Sequence, residues 1–321
     1  MDEVLGVILA AGAGRRLGPL GEAYVKTLLP VANEPLIAHH LRLLHGLGVR
    51  RVLIVVGHHA AQVETALGTG EHYGLELQFI RQPQPLGSAH ALGLARAHVR
   101  TPFLLTLGDY YFVAAEPQVM MRHLAKGESA IATKREPEAR LVCEACAVET
   151  AVDGSVVGLV EKPAHPNTDL KGCGFYALVP EVFDAVNRTP RTALRDEYEL
   201  TVSLDLFVRS GNRLYAEEII DWDNNITRPE DLLRCNLEWL DRHDVRQLVG
   251  AKAFVDQRTE LDRTVVGDGA VVRGVNRLRQ VVVFPGADLA DLGALERTLM
   301  TTLGPVACCE ASPGAYPAQP L

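Results

Sequence analysis

At 321 residues the chain can bury a full core, and one large domain with an appendage is the natural division. Apolar residues make up 47% and charged residues 22%, and a formal charge of −8 argues against a broad nucleic-acid or anionic-membrane surface, since both call for basic patches. Met1-Asp2-Glu3 has no basic leader and no apolar run approaches membrane-spanning length, so the expectation is a cytoplasmic protein with no membrane or nucleic-acid partner.

The first element is an apolar run, Val4–Leu9, bounded by glycines, which reads as a strand buried on both faces of a parallel sheet. A glycine-dense loop, Ala10–Gly18, follows with Arg15 and Arg16, and Lys26 lies just beyond it. Gly12, Gly14 and Gly18 let backbone N–H groups close on an oxyanion, and two guanidiniums would add charge-assisted contacts to phosphate. A plain glycine turn with solvated arginines is one alternative. A dinucleotide fingerprint is another, but its glycine spacing differs and the second strand, Arg51–Val56, ends in Gly57-His58-His59 instead of an acid. A P-loop would need Gly-Lys-Ser/Thr, which is absent from this loop.

Pro35–Leu47 is apolar at helical spacing, and the strand Arg51–Val56, a helix at Ala60–Leu67 and a strand near Leu75–Ile80 follow. The alternation predicts βαβ units, with ligands over the carboxyl ends of the strands. The next segment, Arg81–Ala89, is held extended by Pro83 and Pro85, carries Gln82 and Gly87, and opens a helix at Ser88. The strand Phe103–Leu107 ends in Gly108-Asp109, where a carboxylate can hold a cation that bridges phosphates; capping the next turn is the alternative for Asp109.

From Ser129 the texture changes to strands and turns, the mark of an antiparallel insertion that reaches Glu161-Lys162-Pro163 and Leu170–Tyr176. Cys143-x-x-Cys146 is a lone pair with no second pair at zinc-site spacing and reads as idle or buried thiols, while His39-His40 and His58-His59 read as helix or loop surface. Asp196–Val208 reads as a helix with its entry, and Thr227-x-x-Glu230 with Pro229 as a capping box for a helix running to about His243. Val265–Val272 and Val281–Leu289 share an apolar-x-x-Gly-Ala unit with the look of β-helix turns. One or two coils cannot stand alone, so they should pack on the main domain or a second subunit, which makes a homodimer a partner to test for.

Together LAAGAGRRLGPL, KTLLPVANEPLI, the Gln82–Ala89 stretch, Leu107-Gly108-Asp109, Glu161-Lys162-Pro163, Asp196–Val208 and Asp221–Leu232 closely resemble the ordered motifs of the nucleoside-diphospho-sugar pyrophosphorylases, also called sugar-1-phosphate nucleotidyltransferases. The resemblance covers about residues 3–243, with Val25 where the family has proline. It implies an α/β fold: a Rossmann-like, mostly parallel sheet with helices on both faces, an antiparallel acceptor-side insertion and a short C-terminal β-helix-like appendage. The expected division is a catalytic domain over residues 1–248, a short left-handed β-helix-like segment over 249–310 and a flexible tail over 311–321.

The implied reaction is Mg2+-assisted, in-line attack of a phosphorylated small-molecule acceptor on the α-phosphorus of a nucleoside triphosphate, giving an NDP-sugar and pyrophosphate. By resemblance Arg16 and Lys26 are catalytic, and Leu9, Ala11, Gly12, Gly14, Arg15, Gln82, Gly87 and Ser88 bind the nucleotide. Glu161, Lys162 and Gly174 fall on acceptor-binding positions. So do Cys146 and Gly172, where the family has a glycine against the sugar ring and a sugar-contacting asparagine. Asp109 is the first metal ligand and the second is Asn225, or Asp223, depending on whether the alignment starts from Pro229 or from Trp222. The altered acceptor positions leave a cyclitol phosphate or phosphonate acceptor, or a non-catalytic nucleotide-binding homologue, as alternatives.

Overall fold

The computed structural model describes residues 4–12, 14–193 and 196–308, so Cys309 and the expected tail lie outside the described residues. Its first strand, β1 (Leu5–Ala10), is buried at every position, as a continuous apolar run requires when both faces of a sheet are covered. Helix α1 (Leu36–Gly46) leads to β2 (Arg51–Val56), α2 (Ala60–Leu67) to β3 (Glu76–Arg81), and α3 (Ser88–Ala95) to β4 (Phe103–Leu107). β1 pairs in parallel with β2 on one side and β4 on the other, with β3 beyond β2. The chain therefore reverses its direction of winding at β1, and in open α/β sheets ligands bind at the strands' carboxyl ends beside such a reversal.

The next strands are β5 (Tyr110–Ala114), β6 (Ser129–Arg135), β7 (Cys146–Thr150), β8 (Val156–Glu161) and β9 (Leu170–Leu178). Strand β9 runs antiparallel to β4, β6 and β7, and β8 forms a hairpin with β7, so the insertion extends the parallel sheet on its β4 side. After α4 (Leu200–Arg209), β10 (Leu214–Glu218) pairs with β6, and β11 (Ile220–Asn225) forms an antiparallel ribbon with β5. The register of β9 slips between Gly172 and Tyr176. Gly174 takes φ 75° inside that slip, and a Cβ there would lie 3.1 Å from the Tyr110 ring. The apolar core joins β1, β2, β4 and β9 to α3 and α4.

The chain divides into two compact units. One comprises Met1–Ala13, Val25–Thr27 and Leu36–Asn225, and the other Gly14–Tyr24, Leu28–Pro35 and Ile226–Leu321. In the second unit α5 (Pro229–Arg242) starts one residue off the expected pattern. Arg228 is the N-cap, and the Asp231 carboxylate accepts from the N–H groups of Thr227 and Arg228 at 2.9 and 2.8 Å. Asp231, not Glu230, occupies the third helical position from which a carboxylate reaches back to the cap.

The same unit carries the coils. Gln247 faces Thr264, Val265 faces Val282 and Val282 faces Leu299, all in parallel, so each coil advances 17 residues. Ala253, Ala270 and Ala287 stack inside, as do Leu261, Leu278 and Leu295. A Cβ at Gly267 would fall 2.3 Å from the Pro285 nitrogen, so close stacking of successive coils demands glycine there. Three steps of the repeat are present where the sequence pattern showed two units.

Among the described residues, no helix is long and apolar enough to cross a membrane. The five described cysteines are free thiols, four of them buried. The expectation that both histidine pairs lie at the surface fails for His40, which is 3% exposed. Leu36, Ile37, His40, Leu41 and Leu44 form one buried stripe of α1, and His40 is part of it.

Candidate active site

Gly108 ties the end of β4 to β1 by donating its N–H to the Leu9 carbonyl at 2.9 Å, and Asp109 leaves from that corner. The ammonium of Lys26, 8% exposed, lies 2.8 Å from Asp109 Oδ2 and 3.4 Å from Asn225 Oδ1. Asn225 reaches this point because it faces Tyr110, the residue after Asp109, across the β5–β11 ribbon. A carboxylate oxygen and an amide oxygen thus converge on one cation, and such an oxygen pair fits a divalent cation that takes its remaining ligands from phosphate and water. Asp223, the other candidate, is turned elsewhere. Its side chain is 3% exposed and lies 3.0 Å from Lys171 Nζ, which is also 3.4 Å from the buried Glu136.

Behind the Asp109 corner stands His40. Its Nε2–H donates to the Tyr110 carbonyl at 2.8 Å, and burial, against the pull of that hydrogen bond, lowers its pKa to about 4. The ring meets Phe112 edge-on at 5.5 Å, and Phe112 stacks on Phe175 at 5.6 Å. The phenols of Tyr110 and Tyr176 are both buried and held neutral. Burial raises the Tyr110 pKa well above the ordinary value, with Asp109, Asp223 and Glu161 adding to the effect. Burial does the same at Tyr176, followed by Cys146 and Glu161.

Three of the expected acceptor residues fall on one rung of the sheet: Glu161 of β8 faces Cys146 of β7, which faces Gly172 of β9. Thr201 at the start of α4 donates its hydroxyl to Glu161 Oε2 at 2.6 Å. Burial, then the Glu161 charge, pushes the Cys146 thiol far up, so it presents a neutral S–H. A Cβ at Gly172 would lie 2.9 Å from Ile131 Cδ1 and 3.6 Å from Cys146 Cβ, so an asparagine there would require the end of the Ile131 side chain to shift. Lys162 has φ 46° ahead of Pro163, a left-handed conformation that costs energy in a residue with a Cβ, and its N–H donates to Ala145 O at 2.9 Å.

At the end of β3, Gln82 is 5% exposed and donates from Nε2 to the Gly87 carbonyl at 3.1 Å. A carbonyl only accepts, so the amide orientation is fixed, and the second contact, to His90 Nδ1 at 2.8 Å, makes that nitrogen an acceptor. Gly87 has φ 106° and a Cβ there would lie 2.4 Å from the Tyr198 carbonyl, so the neighbouring chain already requires glycine. Ser88 accepts from the Leu200 N–H at 2.9 Å through its hydroxyl. Leu9 and Ala11 are buried at the β1 end, whereas Gly12 is exposed and a Cβ on it would meet nothing within 4 Å. In the second unit Gly14, at φ 65°, opens a single turn, Arg15–Leu17, from which Arg15 and Arg16 extend into solvent.

The expected residues thus gather, within the first unit, as three groups: Lys26 with Asp109 and Asn225; Glu161 with Cys146 and Gly172; and Gln82 with Gly87. The sequence reading missed His40, Tyr110, Tyr176, His90, Thr201, Ile131 and Lys171. Helical periodicity alone could have placed His40 on the buried side of α1.

Comparison with known proteins gives this arrangement its class. Residues 5–258 match the family model described as nucleotidyl transferase. A glucose-1-phosphate thymidylyltransferase of Streptomyces griseus is 32% identical over 89% of this chain and 79% of its own length. A UTP–glucose-1-phosphate uridylyltransferase of Haloferax volcanii is 31% identical over 70% of this chain and 92% of its own. The fold matches the crystal structure of a UDP-glucose pyrophosphorylase complexed with UDP-glucose at a TM-score of 0.66 and 20% identity, covering 75% of this chain and 99% of that one. The chain belongs to the nucleotidyl transferase family, among its sugar-1-phosphate nucleotidyltransferases, which join a nucleoside triphosphate to a sugar phosphate and form NDP-sugars.

Proposed function

We propose that this chain transfers a thymidylyl or uridylyl group to a hexose 1-phosphate, with Lys26, Asp109 and Asn225 at the centre of the reaction. The observation that carries this reading is the convergence of two oxygens, from residues far apart in sequence, on the Lys26 ammonium beside the carboxyl ends of β1 and β4. Curated relatives at 32% and 31% identity that bear thymidylyl- and uridylyltransferase names support the choice of base.

Lys26 balances the Asp109 carboxylate, and triphosphate oxygens offer its ammonium a second anionic partner as the nucleotide arrives. Arg16 and the loop N–H groups are assigned to the departing pyrophosphate, and Gln82 and Gly87 to the base. Glu161, held by Thr201, accepts from a sugar hydroxyl, and Lys162 pairs with the acceptor phosphate. Mg2+ on Asp109 and Asn225 would neutralise charge between the α-phosphate and the acceptor phosphate. The protein's own contribution is position and charge, because attack at the α-phosphorus asks little covalent chemistry of it.

A pyrophosphate-release assay across five triphosphates and a panel of acceptor phosphates tests this reading. dTTP or UTP with glucose 1-phosphate should turn over at least about tenfold faster than ATP or CTP. Turnover confined to a cyclitol phosphate would overturn the hexose assignment. Cys146 and Ile131, which narrow the rung at Gly172, would be the first residues to examine in that case.

A further inference from the structure

We propose that His40 is a positioning residue that sets the separation of the two cation-binding oxygens. The inference rests on the reading that Asp109 and Asn225 hold a divalent cation. Tyr110 occupies a singular place between them, since it follows Asp109 in the chain and faces Asn225 across the ribbon. A displacement of the Tyr110 peptide therefore moves both oxygens relative to each other. His40 fixes that peptide through a 2.8 Å hydrogen bond to its carbonyl, made from α1, an element outside the ribbon.

The bond is well defined chemically. A neutral imidazole has one N–H, and the carbonyl it meets can only accept, so the proton resides on Nε2. Burial keeps the ring neutral at ordinary pH. The ring itself is braced edge-on by Phe112, and Phe112 by Phe175 of β9, so the donor cannot swing away without disturbing the packing. Side chains that orient a metal ligand from behind alter affinity about 10- to 100-fold when removed.

The test compares His40→Met, which fills similar space without a donor, with His40→Gln, whose amide places a donor near the original Nε2. Mn2+ is titrated alone into the full-length proteins, and the free ion is followed by electron paramagnetic resonance, with Asp109→Asn as control. The expected result is half-saturation at about tenfold higher Mn2+ in His40→Met and recovery to within about threefold in His40→Gln. The cation concentration for half-maximal turnover should move in parallel, with the nucleotide KM at saturating cation unchanged. Wild-type Mn2+ binding by His40→Met, with Asp109→Asn impaired, would overturn the role of His40. Wild-type binding by Asp109→Asn would instead overturn the cation assignment beneath it.

Should His40→Met not fold, the wild-type protein still decides. Coupling is reciprocal, so a hydrogen bond that favours the cation must itself be favoured by it. Adding Mg2+ should slow solvent exchange of the His40 Nε2 proton at least about threefold. Unchanged exchange would overturn the proposal.

Discussion

A single buried imidazole illustrates what residue-level chemistry adds to the motifs. The folded His40 has its pKa lowered to about 4 by burial, against an ordinary value of 6.5, so between those values the unfolded chain binds the proton that the folded chain refuses. Stability from this group is therefore complete above pH 6.5 and is lost as pH falls toward 4, a change of about 3 kcal/mol. Urea unfolding at several pH values should show that loss in the wild type and not in His40→Gln; equal losses in both would contradict it. His40 was misread because an adjacent histidine pair lacks ligand spacing, which says nothing about burial. The helical stripe around it carried that information. Its place at a strand end marked Asp109, but no local signal joined it to Lys26, since 83 residues separate the two.

At the scale of elements, alternation of apolar and glycine-rich segments was enough to place β2, α2 and β4 in the sequence with their observed bounds. Elements shaped by their neighbours were harder. The coil repeat showed two units because Lys252 stands before the stacked alanine of the first coil where the later ones have Gly269 and Gly286, although Ala253, Ala270 and Ala287 keep the period. Glycines look alike in sequence but act differently. Gly87→Ala would drive a Cβ into the Tyr198 backbone at a φ of 106° and should cost about 2 kcal/mol or more. Gly12→Ala meets no protein atom within 4 Å and should stay within about 0.5 kcal/mol of wild type. Thermal unfolding checks both, and nucleotide titration of the stable Gly12→Ala protein should reveal weakened binding, because only a ligand comes close enough to need the missing Cβ. Undiminished nucleotide binding would separate Gly12 from the phosphate-binding loop.

For the whole molecule, the signature stretch that carried the family resemblance is divided between the two units, with Val25–Thr27 in the first and Gly14–Tyr24 and Leu28–Pro35 in the second. No sequence periodicity announces that division. The family assignment was legible because several motifs occur in order. The altered acceptor rung, in which Ile131 occupies space beside Gly172, emerged only from packing. The central claim is that Lys26, Asp109 and Asn225 act together on the polyphosphate, and it stands on chemistry within the first unit. The most direct test is the rate of pyrophosphate release by Lys26→Ala at saturating triphosphate, sugar phosphate and Mg2+, beside a thermal melt. A fall of about 100-fold or more with an intact melt is predicted; release at the wild-type rate would contradict the account.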